Sequence, residues 1–183
     1  MKIIIGVTGA SGVVYSRKLL EVLGGLNFET HLIISKAGGL VIERELKMSI
    51  NKFKKLANFT YENEDLMASI SSGSYLVDAM VIVPASMKTI GSICAGISDN
   101  LITRAADVQL KEKRKLILVP RETPLNAIHL ENLAKLSKLG VIILPAMPGF
   151  YNDPESIENM VDFIVGKILD QLNINHSLYK RWS

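Results

Sequence analysis

Short runs of β-branched and other aliphatic residues alternate along this chain with longer amphipathic stretches, and few folds accept that alternation. The runs at 2–7, 28–35, 78–84, 115–120 and 141–145 carry apolar residues at consecutive positions rather than at every second one. A strand reads that way when helices cover both of its faces. Between the runs, the spacing predicts helices over 11–24, 37–48, 87–97, 100–113, 125–138 and 155–172. Strands separated by helices of this length form βαβ units. The expected fold is therefore α/β, a Rossmann-like or flavodoxin-like three-layer sandwich with a parallel sheet, in one domain over 1–183. The last helix is the clearest: Asp153 reads as its cap, Pro154 as its first residue, and Ile157, Val161, Ile164, Ile168 and Leu172 repeat at helical spacing. Residues 49–65 are polar and fit no element, so 51–63 is expected to be a variable surface insertion.

Composition excludes several classes of function. Of 183 residues, 48% are hydrophobic and 21% charged, enough for a packed core and too apolar for a disordered chain. Aromatic residues make up 6%, and the net charge of +3 is spread along the chain, so no nucleic-acid partner is expected. A lone cysteine, Cys94, rules out an internal disulfide framework and a multi-cysteine metal centre. His31 and His129 match no metal-ligand spacing and are read as structural, as is Cys94 as a small buried residue. No apolar stretch reaches the ~18–20 residues of a membrane span. The chain begins directly in a strand-like run, so it is expected to be cytoplasmic with no membrane partner.

In an open parallel sheet, ligands bind where the strands end, which directs attention to five loops. Thr8-Gly9-Ala10-Ser11-Gly12 follows the first strand and opens a helix. Its glycines permit a tight turn, and the helix start offers N–H groups to an anion. It is neither the GxGxxG fingerprint nor a Walker loop, and a phosphate site and a plain turn both fit it. Ser35-Lys36 follows the second strand, where an NAD site would place an acid. Taken alone, these two are a capping serine and a solvated lysine, and Glu43 and Glu45 are solvated helix carboxylates. Ser86, Met87, Lys88 and Thr89 open the helix after Pro84. Arg121 and Glu122 lie between Pro120 and Pro124, an arrangement that is costly unless the two pair or act. The fifth loop is stiffened by Pro145, Pro148 and Gly149 and presents Tyr151. All five are expected on one edge of the sheet.

Together, GVTGASG, HLIISKA, PASMKTIGSI, DNLITRAADV, LVPRETPL and PAMPGFY, in this order and spacing, resemble the flavin prenyltransferase family. The match runs from Lys2 to about Gln171, weakest over 49–65. The resemblance implies a homo-oligomer, a dodecamer with shared active sites, that joins a dimethylallyl group from dimethylallyl phosphate to N5 and C6 of reduced FMN. The product, prenylated FMN, would supply a partner decarboxylase. The flavin would bind at Gly9, Ala10, Ser11, Ser35, Ser86, Met87, Lys88, Thr89 and Arg121. Tyr151 and Lys167 would hold the prenyl donor, with Arg104 and Lys111 from a neighbouring subunit.

The chemistry of these residues agrees with that assignment. Loss of phosphate from an allylic carbon leaves a cation, and Lys167, Arg104, Lys111 and Tyr151 would receive the departing anion without a metal. Glu122 suits proton exchange with that phosphate, Glu45 the proton lost as the C6 bond forms, and Ser11 the orientation of the N5 region. Lys167 read alone is a snorkelling lysine beside an apolar stripe, and Lys111 part of a solvated helix end. Some relatives carry an aromatic near Leu66, and Arg181-Trp182 resembles a family tail that covers the site. The alternatives are an FMN-dependent cysteine decarboxylase, whose Pro-x-x-Asn-x-x-Met-Trp signature and catalytic histidine are not seen here, and a non-catalytic flavin-binding protein.

Overall fold

Ile3, Ile4, Ile5 and Val7 have no exposed surface, because the first strand lies in the middle of the sheet under helices on both sides. The structure, a computed structural model, describes residues 1–151 and 153–181. Its strands are β1 (Lys2–Val7), β2 (Glu29–Ile34), β3 (Phe59–Glu62), β4 (Ala79–Ala85), β5 (Lys115–Pro120) and β6 (Ile142–Ile143). Its helices are α1 (Val13–Gly25), α2 (Lys36–Leu46), α3 (Ile50–Lys54), α4 (Met87–Cys94), α5 (Leu101–Lys111), α6 (Ala127–Lys138) and α7 (Ile157–Gln171). The strands form one sheet in the order β3-β2-β1-β4-β5-β6, parallel throughout. The chain winds outward from β1 to β3, then crosses to β4 and winds the other way, which puts the topological switch between β1 and β4.

Alternate residues of β1 feed two cores. Ile3, Ile5 and Val7 pack with Leu19, Leu20 and Leu23 of α1 and Ile164, Ile168 and Leu169 of α7. On the other face Ile4 joins Ile102, Ala105 and Ala106 of α5 and Ile90 of α4. Each such aliphatic side chain contributes about 1.5–3 kcal/mol on burial, so the two cores hold the sheet rigid beneath its loops. No helix among the described residues is long and apolar enough to cross a membrane.

Two expectations fail here. The segment 49–65 is part of the sheet: β3 pairs with β2 over His31↔Phe59 to Ile34↔Glu62, and Phe53 of α3 is fully buried in the α1/α7 core. Most of its polar residues face outward, but Asn63 is buried and accepts the Leu101 and Ile102 N–H groups, while Phe53 fills the core. Phe59 stacks on His31 at 5.0 Å, and His31 is hydrogen-bonded to the Tyr61 hydroxyl and the Glu29 carboxylate, both at 2.9 Å. Burial pushes the imidazole pKa down, against the opposing pull of Glu29. His31 is thus structural, as read. The second failure is the α7 cap. Asp153 has φ +49 and lies outside the helix, whereas Ser156, in extended backbone, accepts the Asn159 N–H at 3.2 Å. A residue whose own side chain caps a helix takes extended rather than left-handed backbone, and α7 starts at Ile157.

Phe53→Ala should destabilise the fold by about 3–5 kcal/mol in urea unfolding, the cost of a large buried aromatic; a residue in a surface insertion would change stability by no more than about 0.5 kcal/mol.

Candidate functional site at the carboxyl edge of the sheet

Where β1 and β4 end, their following helices depart to opposite faces and leave backbone groups that the ladder cannot pair. Thr8, 1% exposed, covers them. Its hydroxyl donates to the Pro84 carbonyl (2.7 Å) and accepts from the Ser86 N–H (2.8 Å), and its own N–H donates to Pro84 O (3.3 Å). The sequence reading gave Thr8 no role; its only signal was a hydroxyl at the end of an otherwise aliphatic run. Ser86, set by this clasp, caps α4 by accepting the Thr89 N–H at 3.3 Å and lies 3.1 Å from the Thr89 hydroxyl. Met87 is half-buried and Lys88 exposed at the same helix start.

The β2 loop is drawn in beside it. The Ser35 N–H donates to Val7 O (2.9 Å), and the Ser35 side chain accepts the Gly38 N–H (3.0 Å) to cap α2. Two glycines make the approach possible. A Cβ at Gly38 would lie 2.6 Å from Val7 O, and one at Gly9 2.5 Å from the Ala37 Cβ. Gly9 is therefore required by the chain's own packing, before any ligand is considered. Ala10 is buried next to it and Ser11 is exposed.

Glu45 is an exposed carboxylate of α2, as expected, but it is also bound by the chain. Gly12, at φ +104, starts α1 with no side-chain cap of its own, and Glu45 reaches over from α2 to accept the N–H groups of Gly12 (3.0 Å) and Val13 (3.3 Å). The expectation that this helix start offers those groups to a ligand anion is thereby corrected, since a carboxylate of the chain already occupies them. Arg121 and Glu122 likewise do not pair. Glu122 accepts the N–H of Thr123 at 3.1 Å, while the Arg121 stem runs past Gly12 (4.0 Å from a Cβ built there). The Arg121 Nε–H is buried with no hydrogen-bond partner. An unpaired buried guanidinium N–H is expensive, and it marks a place where an acceptor from a bound molecule fits.

The remaining predicted residues lie elsewhere. Tyr151 packs edge-on against Phe163 of α7 (5.7 Å between ring centres), and the Lys167 ammonium lies 5.6 Å from the Phe163 ring and 5.2 Å from that of Tyr179. Lys167 is one turn before Gln171, whose carbonyl accepts from Lys115 at the start of β5. Lys167 is thus toward the amino ends of the strands, away from the glycine turn, whereas the five loops that follow the parallel strands share the carboxyl edge as expected. Arg104 donates to Ser71 O (3.1 Å) and Asp107 (3.0 Å), and Lys111 pairs with Glu112, both on α5 and the opposite face from α7. One chain assembles the loop set and the Tyr151–Lys167 pair separately, and joins neither to Arg104 and Lys111. Among the described residues no group of three or more His, Cys, Asp or Glu is placed to hold a metal ion. Trp182 lies outside the described residues.

Comparison with known proteins decides among the readings. The Flavoprotein family model matches residues 1–169. The flavin prenyltransferase UbiX of Methanocaldococcus jannaschii is 51% identical over 182 residues, covering 100% of this chain and 98% of that one. The chain belongs to the flavin prenyltransferase family. Two solved structures of the family superpose over its full length with a TM-score of 0.98: a dodecameric FMN-dependent UbiX-like decarboxylase from Escherichia coli O157:H7, 47% identical with 100% of both chains covered, and AnUbiX (PadA1) in complex with FMN and dimethylallyl pyrophosphate, 41% identical with 100% of this chain and 97% of that one covered. The full-length superposition shows that the fold described above is that of these two structures.

Thr8→Val should cost about 1–3 kcal/mol in urea unfolding, because Pro84 O and the Ser86 N–H lose a buried partner; Thr8→Ser, which keeps the hydroxyl, should recover most of that loss.

Proposed function

We propose that this chain transfers the dimethylallyl group of dimethylallyl phosphate to N5 and C6 of reduced FMN, and that the prenylated flavin serves a decarboxylase. The observation that carries the reading is the unpartnered buried N–H of Arg121 beside a turn that glycine alone permits, in a chain identical to a flavin prenyltransferase at half its positions. FMN is a substrate here, and it supplies the nucleophilic ring atoms. Gly9, Ala10, Ser11, Ser35, Ser86, Met87, Lys88, Thr89 and Arg121 would hold and orient it, with Ser11 nearest N5.

Breaking the allylic C–O bond leaves both electrons on the phosphate, so catalysis needs fixed cations where that charge grows. Lys167 and Tyr151 supply one group, Arg104 and Lys111 another, and neither lies with Arg121 in a single chain. We infer that the working site is built from several copies. Exposed apolar side chains support this: Ile128, Leu130 and Leu139 of α6 and Met147, Phe150 and Ile157 before and at α7 are each more than half exposed. Large apolar side chains left this exposed are candidates for burial against another copy. The dodecamer is the assembly this surface is proposed to form. The two carboxylates divide the proton work. Glu45 is anchored by two N–H groups at α1, whereas among the described residues Glu122 is hydrogen-bonded only by the Thr123 N–H, which leaves it the freer to exchange a proton with the phosphate.

Incubation with reduced FMN and dimethylallyl phosphate should raise the flavin mass by one five-carbon unit, at a rate a chelator does not change. An aromatic acid in place of the prenyl donor should release no carbon dioxide. Glu122→Gln should bind both substrates normally and turn over at least ~100-fold more slowly, the scale of a lost acid–base group; wild-type turnover would make Glu122 structural. Arg121→Met and Lys167→Met, each inactive alone, should recover part of the activity when co-assembled, and no recovery would show that a single copy supplies both groups.

A further inference from the structure

Beyond Gln171 the chain reverses, and residues 173–181 run back over the end of α7. Gly166 permits this: a Cβ there would lie 2.5 Å from Tyr179 Cε1 and 2.7 Å from His176 Cε1. Asp170, one turn further along, gathers the returning segment. Its carboxylate accepts the Tyr179 hydroxyl (2.5 Å), His176 Nε2 (3.1 Å) and an Arg181 guanidinium N–H (2.7 Å). The Leu178 N–H donates to His176 Nδ1 (3.2 Å), so the imidazole proton sits on Nε2 and points at Asp170. Burial opposes the charge on Asp170, but the hydrogen bonds from Arg181, Tyr179 and His176 outweigh it and hold the carboxyl below its usual pKa. The tail is thus pinned by one charged acceptor.

This arrangement fixes a ring and a hydroxyl against Lys167. The ammonium lies over the edge where the Phe163 and Tyr179 rings meet, 5.6 and 5.2 Å from their centres, and the nearby Tyr179 hydroxyl raises its pKa above the ordinary lysine value. Because Tyr179 commits its proton to Asp170, its oxygen turns lone pairs toward Lys167. A lysine on an open helix face must give up several freely rotating bonds when it binds an anion; here the tail has already removed that freedom.

We propose that Tyr179, held by Asp170, is a positioning residue that fixes the Lys167 ammonium where the prenyl phosphate is to be received. The inference rests on the reading above that Lys167 binds that phosphate. It assigns to the end of the chain a specific task through one side chain, with no contact of Tyr179 to substrate required.

The test is a double-mutant cycle on the full chain with Tyr179→Phe and Lys167→Met, following KM and kcat for dimethylallyl phosphate, inhibition by inorganic phosphate, FMN affinity and melting temperature. Tyr179→Phe should raise KM and weaken phosphate inhibition by about tenfold, the effect of one hydrogen bond to a charged group, and lower the melting temperature through the lost bond to Asp170, while FMN affinity stays at the wild-type value. Asp170→Asn should move the same constants in the same direction. In the Lys167→Met background, Tyr179→Phe should add nothing. The proposal is overturned if Tyr179→Phe leaves KM at the wild-type value, or if its effect keeps its full size without Lys167. If Lys167→Met itself changes neither KM nor kcat, the phosphate-binding reading of Lys167 fails, and this inference with it.

Discussion

The buried hydroxyl of Thr8 holds the carboxyl edge of the sheet together. At the switch point, parallel pairing stops while the backbone is still covered by two helical layers, so polar groups are left where water cannot serve them. One side chain answers the Pro84 carbonyl of β4 and the amide of Ser86 just beyond it at once. That fixes Ser86 at the head of α4, and the Val7 carbonyl then fixes Ser35 at the head of α2. Three loops that would otherwise move independently become one rigid rim, with glycine wherever two backbones come too close for a Cβ.

The same economy runs through the helix ends. α1 begins on a left-handed glycine and takes its cap from another helix, so Glu45 couples α2 to the turn between β1 and α1. α7 is closed by the tail folded over Gly166. In both cases a carboxylate completes the structure by accepting hydrogen bonds from another segment. Arg121 is among the exceptions: its buried Nε–H is left unanswered, as is the buried side-chain amide of Gln109.

The βαβ alternation was legible because strands covered on both faces must be aliphatic throughout, and five of the strands show it. β3 hid because an edge strand packs with a few aromatic residues, and Phe53, Phe59 and Tyr61 are spaced by polar residues that resemble a loop. The cap at Ser156 hid behind a more conspicuous Asp-Pro pair that backbone geometry excludes. The motifs around Gly9, Ser35, Ser86 and Arg121 could be read because each sits next to a strand end, and their order and spacing pointed to the family. Nothing local announced Thr8, Asp170 or Tyr179, whose partners lie on other elements or past the end of the last helix.

Sequence alone determined the layer architecture, the family and the residue types available for anion binding, since these follow from periodicity and from motifs read in order. Only the tertiary structure decided which of those residues meet. It placed Lys167 toward the amino ends of the strands and Arg121 at their carboxyl ends, turned Arg104 and Lys111 to the opposite face, and gave the first helix start to Glu45 rather than to a ligand. The physical reason is that a motif specifies what a backbone segment can bind, whereas distance and direction between segments are set by how two cores pack on one twisted sheet, which no stretch of sequence contains by itself.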